Sequence, residues 1–110
     1  MERFMKGDVV VLPFPFSDLS TSKKRPALVT ANLKGDDLIL SQITSQARKE
    51  DYSIILSSKD FESGTLNHNS LIRFNRLFTA DKSIILYKVG SLKSYKIKEV
   101  EEEIVRIFSS

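Results

Sequence analysis

The chain contains no cysteine, one histidine, four glycines and three prolines among its 110 residues. Without cysteine there is neither a disulfide nor a thiolate metal site, a usage that suits a reducing compartment. No apolar run approaches the roughly 18 residues that a membrane helix needs. The opening "MERFMKGD" carries an acid and a glycine where a signal peptide would be apolar. A cytoplasmic protein with no membrane partner is expected. There is no glycine-rich phosphate loop and no Gly-x-Ser-x-Gly elbow. The acids of "KGDD" and "EVEEE" have no partners at metal-ligand spacing. The lone His68 sits in the polar turn "TLNHNS". It reads as solvated, and one imidazole does not make a two-histidine acid–base pair.

What is present fits one domain spanning residues 1–110, with 41% hydrophobic and 28% charged residues. The net charge of +3 conceals an asymmetry, because Glu99, Glu101, Glu102 and Glu103 hold four of the fourteen acids. Residues 1–98 therefore carry sixteen Lys/Arg against ten Asp/Glu, a net of +6. That excess suits a polyanionic partner, although charge alone serves solubility equally well.

Internal repeats, low-complexity tracts and linkers are absent, and the chain reads as short strands between turn signals. "DVVVLPF" (residues 8–14) is rich in β-branched residues and is entered through Gly7. Pro13 and Pro15 remove ladder donors, so this strand must reach an edge or leave the sheet there. "ALVTAN", a turn at Gly35, "LILSQIT", "YSIIL", "SLIRF" and "SIILYKV" follow, the last closed by Gly90. Only "SYKIKEVEEEIVRIF" looks helical. Its residues Ile97, Val100, Ile104, Ile107 and Phe108 recur at spacings of three and four, with Ser94 as candidate cap. The fold class is mainly β with short helices: a small antiparallel barrel or curled sheet with helical segments packed outside.

The stretch "SKKRPALV" sets Lys23, Lys24 and Arg25 against Pro26 and an apolar strand. The fold, rather than solvent, then fixes where the last cation stands. In "SLIRF", alternation puts Ile72 and Phe74 on one face and Leu71 with Arg73 on the other.

Taken in order, the blocks "KGDVVVLPFPFSD", "KKRPALV", "ILSQITSQ", "SLIRFNRLFTAD" and "KVGSLKSYKIKEVEEEIVRIF" resemble the MazF/PemK family of bacterial toxins. Together they cover nearly the whole chain. The resemblance implies an SH3-like barrel of the kind shared by the MazF, PemK and CcdB toxins, working as a homodimer with a C-terminal amphipathic helix. It also implies cleavage of single-stranded RNA with no metal or cofactor, and control by a cognate antitoxin of the MazE/PemI kind whose disordered segment covers the RNA site. The implied chemistry is attack of the ribose 2'-hydroxyl on its own 3'-phosphate, leaving 2',3'-cyclic phosphate and 5'-hydroxyl ends.

Such a reaction needs a cation on the pentacovalent phosphate, a hydroxyl or amide donor beside it, and an acceptor for the 2'-proton. Arg25 fits the first role as an electrostatic stabiliser. Its planar fork grips two phosphate oxygens, and a guanidinium holds its charge too firmly to be a good proton donor. Thr44 matches the family's phosphate-contacting threonine, and Ser45 and Gln46 follow it as donors to phosphate or base. Lys23, Lys24, Arg73 and Asn75 complete the RNA-binding set. Some relatives place an acid where Asn75 stands, and others carry a His-Glu pair in the first loop. Here Asn75 cannot take a proton and "DLSTS" has neither residue, so Asp18 is the substitute candidate for the base. Two other readings stand beside this one. A toxin of the same fold can bind a protein target such as gyrase, and a relative lacking the acid can bind RNA without cutting it.

Overall fold

The computed structural model describes residues 3–14, 23–45 and 50–110. Pro15, Asp18 and Gln46 lie outside the described residues. The described strands are β1 (Asp8–Phe14), β2 (Lys23–Asn32), β3 (Asp37–Thr44), β4 (Ser53–Leu56), β5 (Phe61–Gly64), β6 (Ser70–Asp81) and β7 (Tyr87–Leu92), followed by helix α1 (Ser94–Ser109). Short 3-10 turns precede β5 and follow β6. The strands form one curled sheet in the order β4-β6-β3-β2-β1-β7-β5, and every pairing is antiparallel. This half-barrel with one C-terminal helix is the mainly β architecture that the strand pattern predicts.

Both faces of the sheet bury apolar residues. Val9, Leu28, Ile43, Ile54, Leu56, Ile72 and Phe74 point to one face and pack with Val100 of α1. Val10, Leu12, Phe14, Ala27, Val29, Leu38 and Leu40 point to the other and pack with Phe4 and Ala80. Adjacent residues such as Val9 and Val10 serve opposite cores because side chains alternate along a strand. Partners directly opposite share a face, as Val9 with Leu28 and Val10 with Ala27 do.

β6 reaches both cores by means of a bulge. Its second half runs opposite Asp37–Ser41 of β3, and its first half opposite Gln42–Thr44. Between Ser41↔Leu77 and Gln42↔Arg73, β3 advances one residue while β6 advances four. Phe74, Asn75 and Arg76 are the surplus. A bulge leaves a ladder carbonyl without its partner. Here the buried Ser41 Oγ donates to the Arg73 carbonyl at 2.7 Å.

Prolines mark the limits of pairing. Pro13 pairs with Lys24 of β2, whereas β7 pairs β1 only from Asp8 to Val11, so Pro13 lies where β1 has become an edge, as predicted. Pro26 stands inside β2 and not at a turn into it, so Lys23, Lys24 and Arg25 are themselves strand residues. Gly35 turns the β2–β3 hairpin at φ 86°.

Several boundaries differ from the sequence reading. β6 continues past Phe74 to Asp81, because the bulge absorbs the polar Asn75 and Arg76 that read as a strand end. β5 was not predicted, as it buries only Phe61. The "SIILYKV" strand starts instead at Tyr87, after a 3-10 turn over Lys82–Ile84. Gly90 lies inside β7, where a Cβ would collide with the backbone carbonyl of Ser63 on β5. The N-cap of α1 is Lys93 and Ser94 is the first helical residue, so Ser94 is not the cap. Ile97, Val100, Ile104 and Ile107 face the core as expected, but Phe108 is 74% exposed.

A buried polar cluster pins α1 to the sheet. Asp60 is 2% exposed and accepts from Tyr95 Oη at 2.6 Å and from the Ser57 backbone N–H at 2.9 Å. Lys96 Nζ lies 3.7 Å from Asp60, donates to the Ile55 carbonyl at 3.2 Å and pairs with Glu99 at 2.8 Å. Burial pushes the Asp60 carboxyl up, but the bonds from Tyr95 and Ser57, with the Lys96 charge, hold it below its ordinary 3.8.

A carboxyl depressed on folding stabilises above its unfolded pKa and loses that contribution as pH falls through the folded one. Asp60→Asn should therefore be less stable than wild type at neutral pH, with the gap between their urea midpoints narrowing in acid below pH 3.8. In the core, Ile72→Ala should cost about 2–5 kcal/mol by urea unfolding, while Phe108→Ala should stay within about 0.5 kcal/mol.

Candidate functional site

The face of the sheet opposite α1 turns polar at one end. Leu12 lies opposite Arg25, and Phe14 opposite Lys23, so both cations share the face of the core formed by Leu12, Phe14 and Ala27. On the next strand Ala27 pairs with Gln42. Continuing that register by two residues sets Arg25 opposite Thr44. Thr44 in turn pairs with Leu71, and Gln42 with Arg73. Arg73 also pairs with Ser53 of β4. Arg25, Thr44, Gln42 and Arg73 thus share one face over three neighbouring strands. Strands lie about 4.8 Å apart and residues rise about 3.4 Å along a strand, so Arg73, two strands across and two residues along from Arg25, stands about 12 Å from it backbone to backbone, with β3 between them.

Arg25 is exposed, as are Lys23 and Lys24, and it has no ion-pair or hydrogen-bond partner among the described residues. Its guanidinium is thus available to an anion brought from solution. Lys24 projects to the other face, where it borders a shallow groove with Val11, Pro26, Leu66 and Tyr87. The three consecutive cations are therefore divided between two faces, as strand alternation requires. Beside Lys23 an apolar groove is lined by Leu12, Phe14, Phe78 and Ile84, with Phe14 and Phe78 in edge-to-face contact at 5.0 Å.

Thr44 is half-buried at the end of β3, and Ser45 after it is exposed. Asn75 is exposed on the bulge of β6, one residue beyond the buried Phe74. Arg73 is half-buried and held by Glu50. Its Nε donates to Oε1 at 2.9 Å and its Nη2 to Oε2 at 2.7 Å, a two-bond fork on one carboxylate. The Arg73 hydrogen bonds, with the charges of Arg73 and Arg76, outweigh desolvation and hold the Glu50 carboxyl below its ordinary 4.5. Glu50 itself precedes β4, and its carbonyl accepts from Ser53 Oγ at 2.9 Å.

The register brings Arg25, Thr44 and Arg73 together as the sequence reading grouped them, sets Asn75 at the margin, and separates Lys24 from them. Asp18 and Gln46, both in the predicted set, lie outside the described residues. Sequence reasoning missed Gln42 and Glu50. Gln42 could have been found from "LSQIT", where a polar side chain two residues before Thr44 takes the same face. Glu50 sits in the mixed-charge run "ARKED" and carried no such signal.

The sequence matches the PemK-like, MazF-like toxins of type II toxin–antitoxin systems over residues 5–108, and the chain belongs to that family. No curated protein matches it. Among solved structures the chain is similar to the Mycobacterium tuberculosis toxin MazF-mt6, at 15% identity and a TM-score of 0.72, over 93% of this chain and 96% of that one. An endoribonuclease in complex with its cognate antitoxin, from a mycobacterial species, matches at 13% identity and a TM-score of 0.74, over 97% and 96% of the two chains. A further mycobacterial endoribonuclease matches at 14% identity and a TM-score of 0.73, over 99% and 94%. At such identities the likeness speaks to the fold. Among the described residues, no helix is long and apolar enough to cross a membrane.

The Glu50–Arg73 fork makes its own prediction. Because Arg73 is the main cause of the depressed carboxyl, Arg73→Met should raise the Glu50 pKa, and Arg76→Ala should raise it by less. Carboxyl-detected NMR titration measures both, and an unmoved Glu50 in Arg73→Met would contradict the pairing.

Proposed function

We propose that this toxin is a sequence-specific endoribonuclease that cuts single-stranded RNA, mRNA included, and so halts translation and growth. The reaction runs without a metal ion: the 2'-hydroxyl attacks the adjacent phosphate, leaving a 2',3'-cyclic phosphate and a 5'-hydroxyl end. The protein works in the cytoplasm as a homodimer and is restrained by a cognate antitoxin. The observation that carries this reading is the exposed guanidinium of Arg25, without a partner among the described residues, on the face of the sheet that also holds Thr44 and Arg73. Solved relatives that are named endoribonucleases, one of them bound to its antitoxin, support it.

In this account Arg25 stabilises the charge that develops on the phosphorane. It sits on a strand between β1 and β3, so little reorganisation accompanies the reaction. Thr44 donates its hydroxyl to a phosphate oxygen one strand away. Lys23 lies on the same face and contacts the RNA backbone, with Ser45, Gln46 and Asn75 serving phosphate or base edges. Lys24, on the opposite face, adds to the field that draws RNA in. The groove beside Lys23 offers an apolar surface to a base.

Pure protein incubated with a long single-stranded RNA in excess EDTA tests the reading. Discrete cuts with 5'-hydroxyl ends are expected, falling by at least about 10²–10³-fold in Arg25→Ala, whose circular dichroism should match wild type. Intact RNA, or undiminished cutting by Arg25→Ala, would overturn it.

A further inference from the structure

The proposed cleavage leaves one role unfilled. A guanidinium such as that of Arg25 has donors and no acceptor, Thr44 offers a hydroxyl, and Asn75 offers an amide, so none of them serves to accept the 2'-hydroxyl proton. Glu50 has what that role requires. It is a carboxylate with a side chain 32% exposed, open to a substrate yet fixed in place by the two-bond fork from Arg73. Arg73 stands opposite Gln42, in the row next to that of Arg25 and Thr44, so its fork holds Glu50 beside the candidate phosphate position.

We propose, on the basis of the endoribonuclease reading, that Glu50 is the general base of the cleavage and that Arg73 is its coupled partner. The O2'–H bond breaks as its proton passes to a Glu50 carboxylate oxygen. The O2'–P bond forms, the P–O5' bond breaks, and the leaving O5' takes a proton from water. Glu50 then returns its own proton to solvent. Protonation neutralises the carboxylate that Arg73 was gripping just as negative charge builds on the phosphorane. The guanidinium's attraction passes from one anion to the other, so the proton transfer and the charge stabilisation reinforce each other. A carboxylate held below its ordinary range is a weaker base, and this transfer of Arg73 to the phosphate offsets the handicap.

The groups facing Glu50 set its titration. From β6 these are Arg73 and Arg76. The neighbouring strands β3 and β4 contribute Gln42, Thr44 and Ser53, which do not titrate in the acid range. Asp51 adjoins Glu50 in the chain, and Arg48 and Lys49 lie outside the described residues.

The test compares pH–rate profiles of wild type, Glu50→Gln and Glu50→Asp on one RNA, alongside binding of the same oligomer with 2'-deoxyribose at the cut site. Glu50→Gln should slow cutting by about 10²–10⁴-fold and lose the acid-side limb of kcat/KM. Glu50→Asp should recover part of the rate. Glu50→Gln should bind the uncuttable oligomer at least as tightly as wild type, since it removes a negative charge from the site. Near-wild-type cutting by Glu50→Gln, or an acid limb that survives the substitution, would overturn the assignment while leaving the ribonuclease reading intact. Weakened oligomer binding by Glu50→Gln would also overturn it, by reducing Glu50 to a residue that shapes the site. Wild-type protein that leaves RNA whole would overturn both.

Discussion

The hydroxyl of Ser41 bonded to the carbonyl of Arg73 is the contact on which the rest of this structure turns. β6 is the longest strand and pairs with β3 along both of its halves, but the two halves are out of step by three residues. Absorbing that surplus in the middle of a sheet frees backbone groups in a place where water is scarce. A buried, unpaired carbonyl costs about 1–3 kcal/mol. Ser41 removes that cost without adding bulk, and so fixes where the offset falls. Moving it by one residue would turn Ile72 and Phe74 away from the core beneath α1, and would carry Arg73 to the wrong face.

From this offset follows the division of labour between the two faces. The face under α1 carries a continuous apolar core, bordered at one margin by Lys24, and is closed by Ile97, Val100, Ile104 and Ile107. The helix is further tied down through Lys96, Asp60 and Tyr95. The opposite face is apolar only over part of its area. Where β2 begins and β3 ends, it gives way to Lys23, Arg25, Gln42, Thr44 and Arg73. A phosphate bound there would meet side chains mounted on paired strands, and such side chains move little on binding. Glu50 is the exception, since it precedes β4 and owes its position to the arginine it grips.

Much of this fold was legible in the sequence, and what was hidden was hidden for physical reasons. β1 and β3 were evident because their apolar residues serve cores on both faces. α1 was evident because four apolar residues at helical spacing find a single core. β5 left no trace, because a four-residue edge strand that buries one phenylalanine has no periodicity to detect. The second half of β6 was masked by Asn75 and Arg76, which resemble a loop until the bulge is known. In the site, Arg25 stood out through its place beside Pro26 and an apolar strand, and Thr44 through family resemblance, while their placement on one face is a matter of register. The partnership of Glu50 with Arg73 spans 23 residues and two elements. Nothing local announces it, and the Lys24 that looked equivalent to Arg25 is set apart by strand alternation alone.

The central claim is that the patch formed by Arg25, Thr44 and Arg73, on one face of the sheet, receives the RNA phosphate. Titrating labelled protein with an oligoribonucleotide carrying 2'-deoxyribose at the cut site, and following the amide and guanidinium NMR signals, tests it most directly. The account predicts that the largest shifts fall on residues 23–27, 42–45 and 71–76 together with the Arg25 and Arg73 guanidinium groups, and that α1 stays unchanged. Shifts concentrated on α1, or on the groove beside Lys24 and Tyr87, would contradict it.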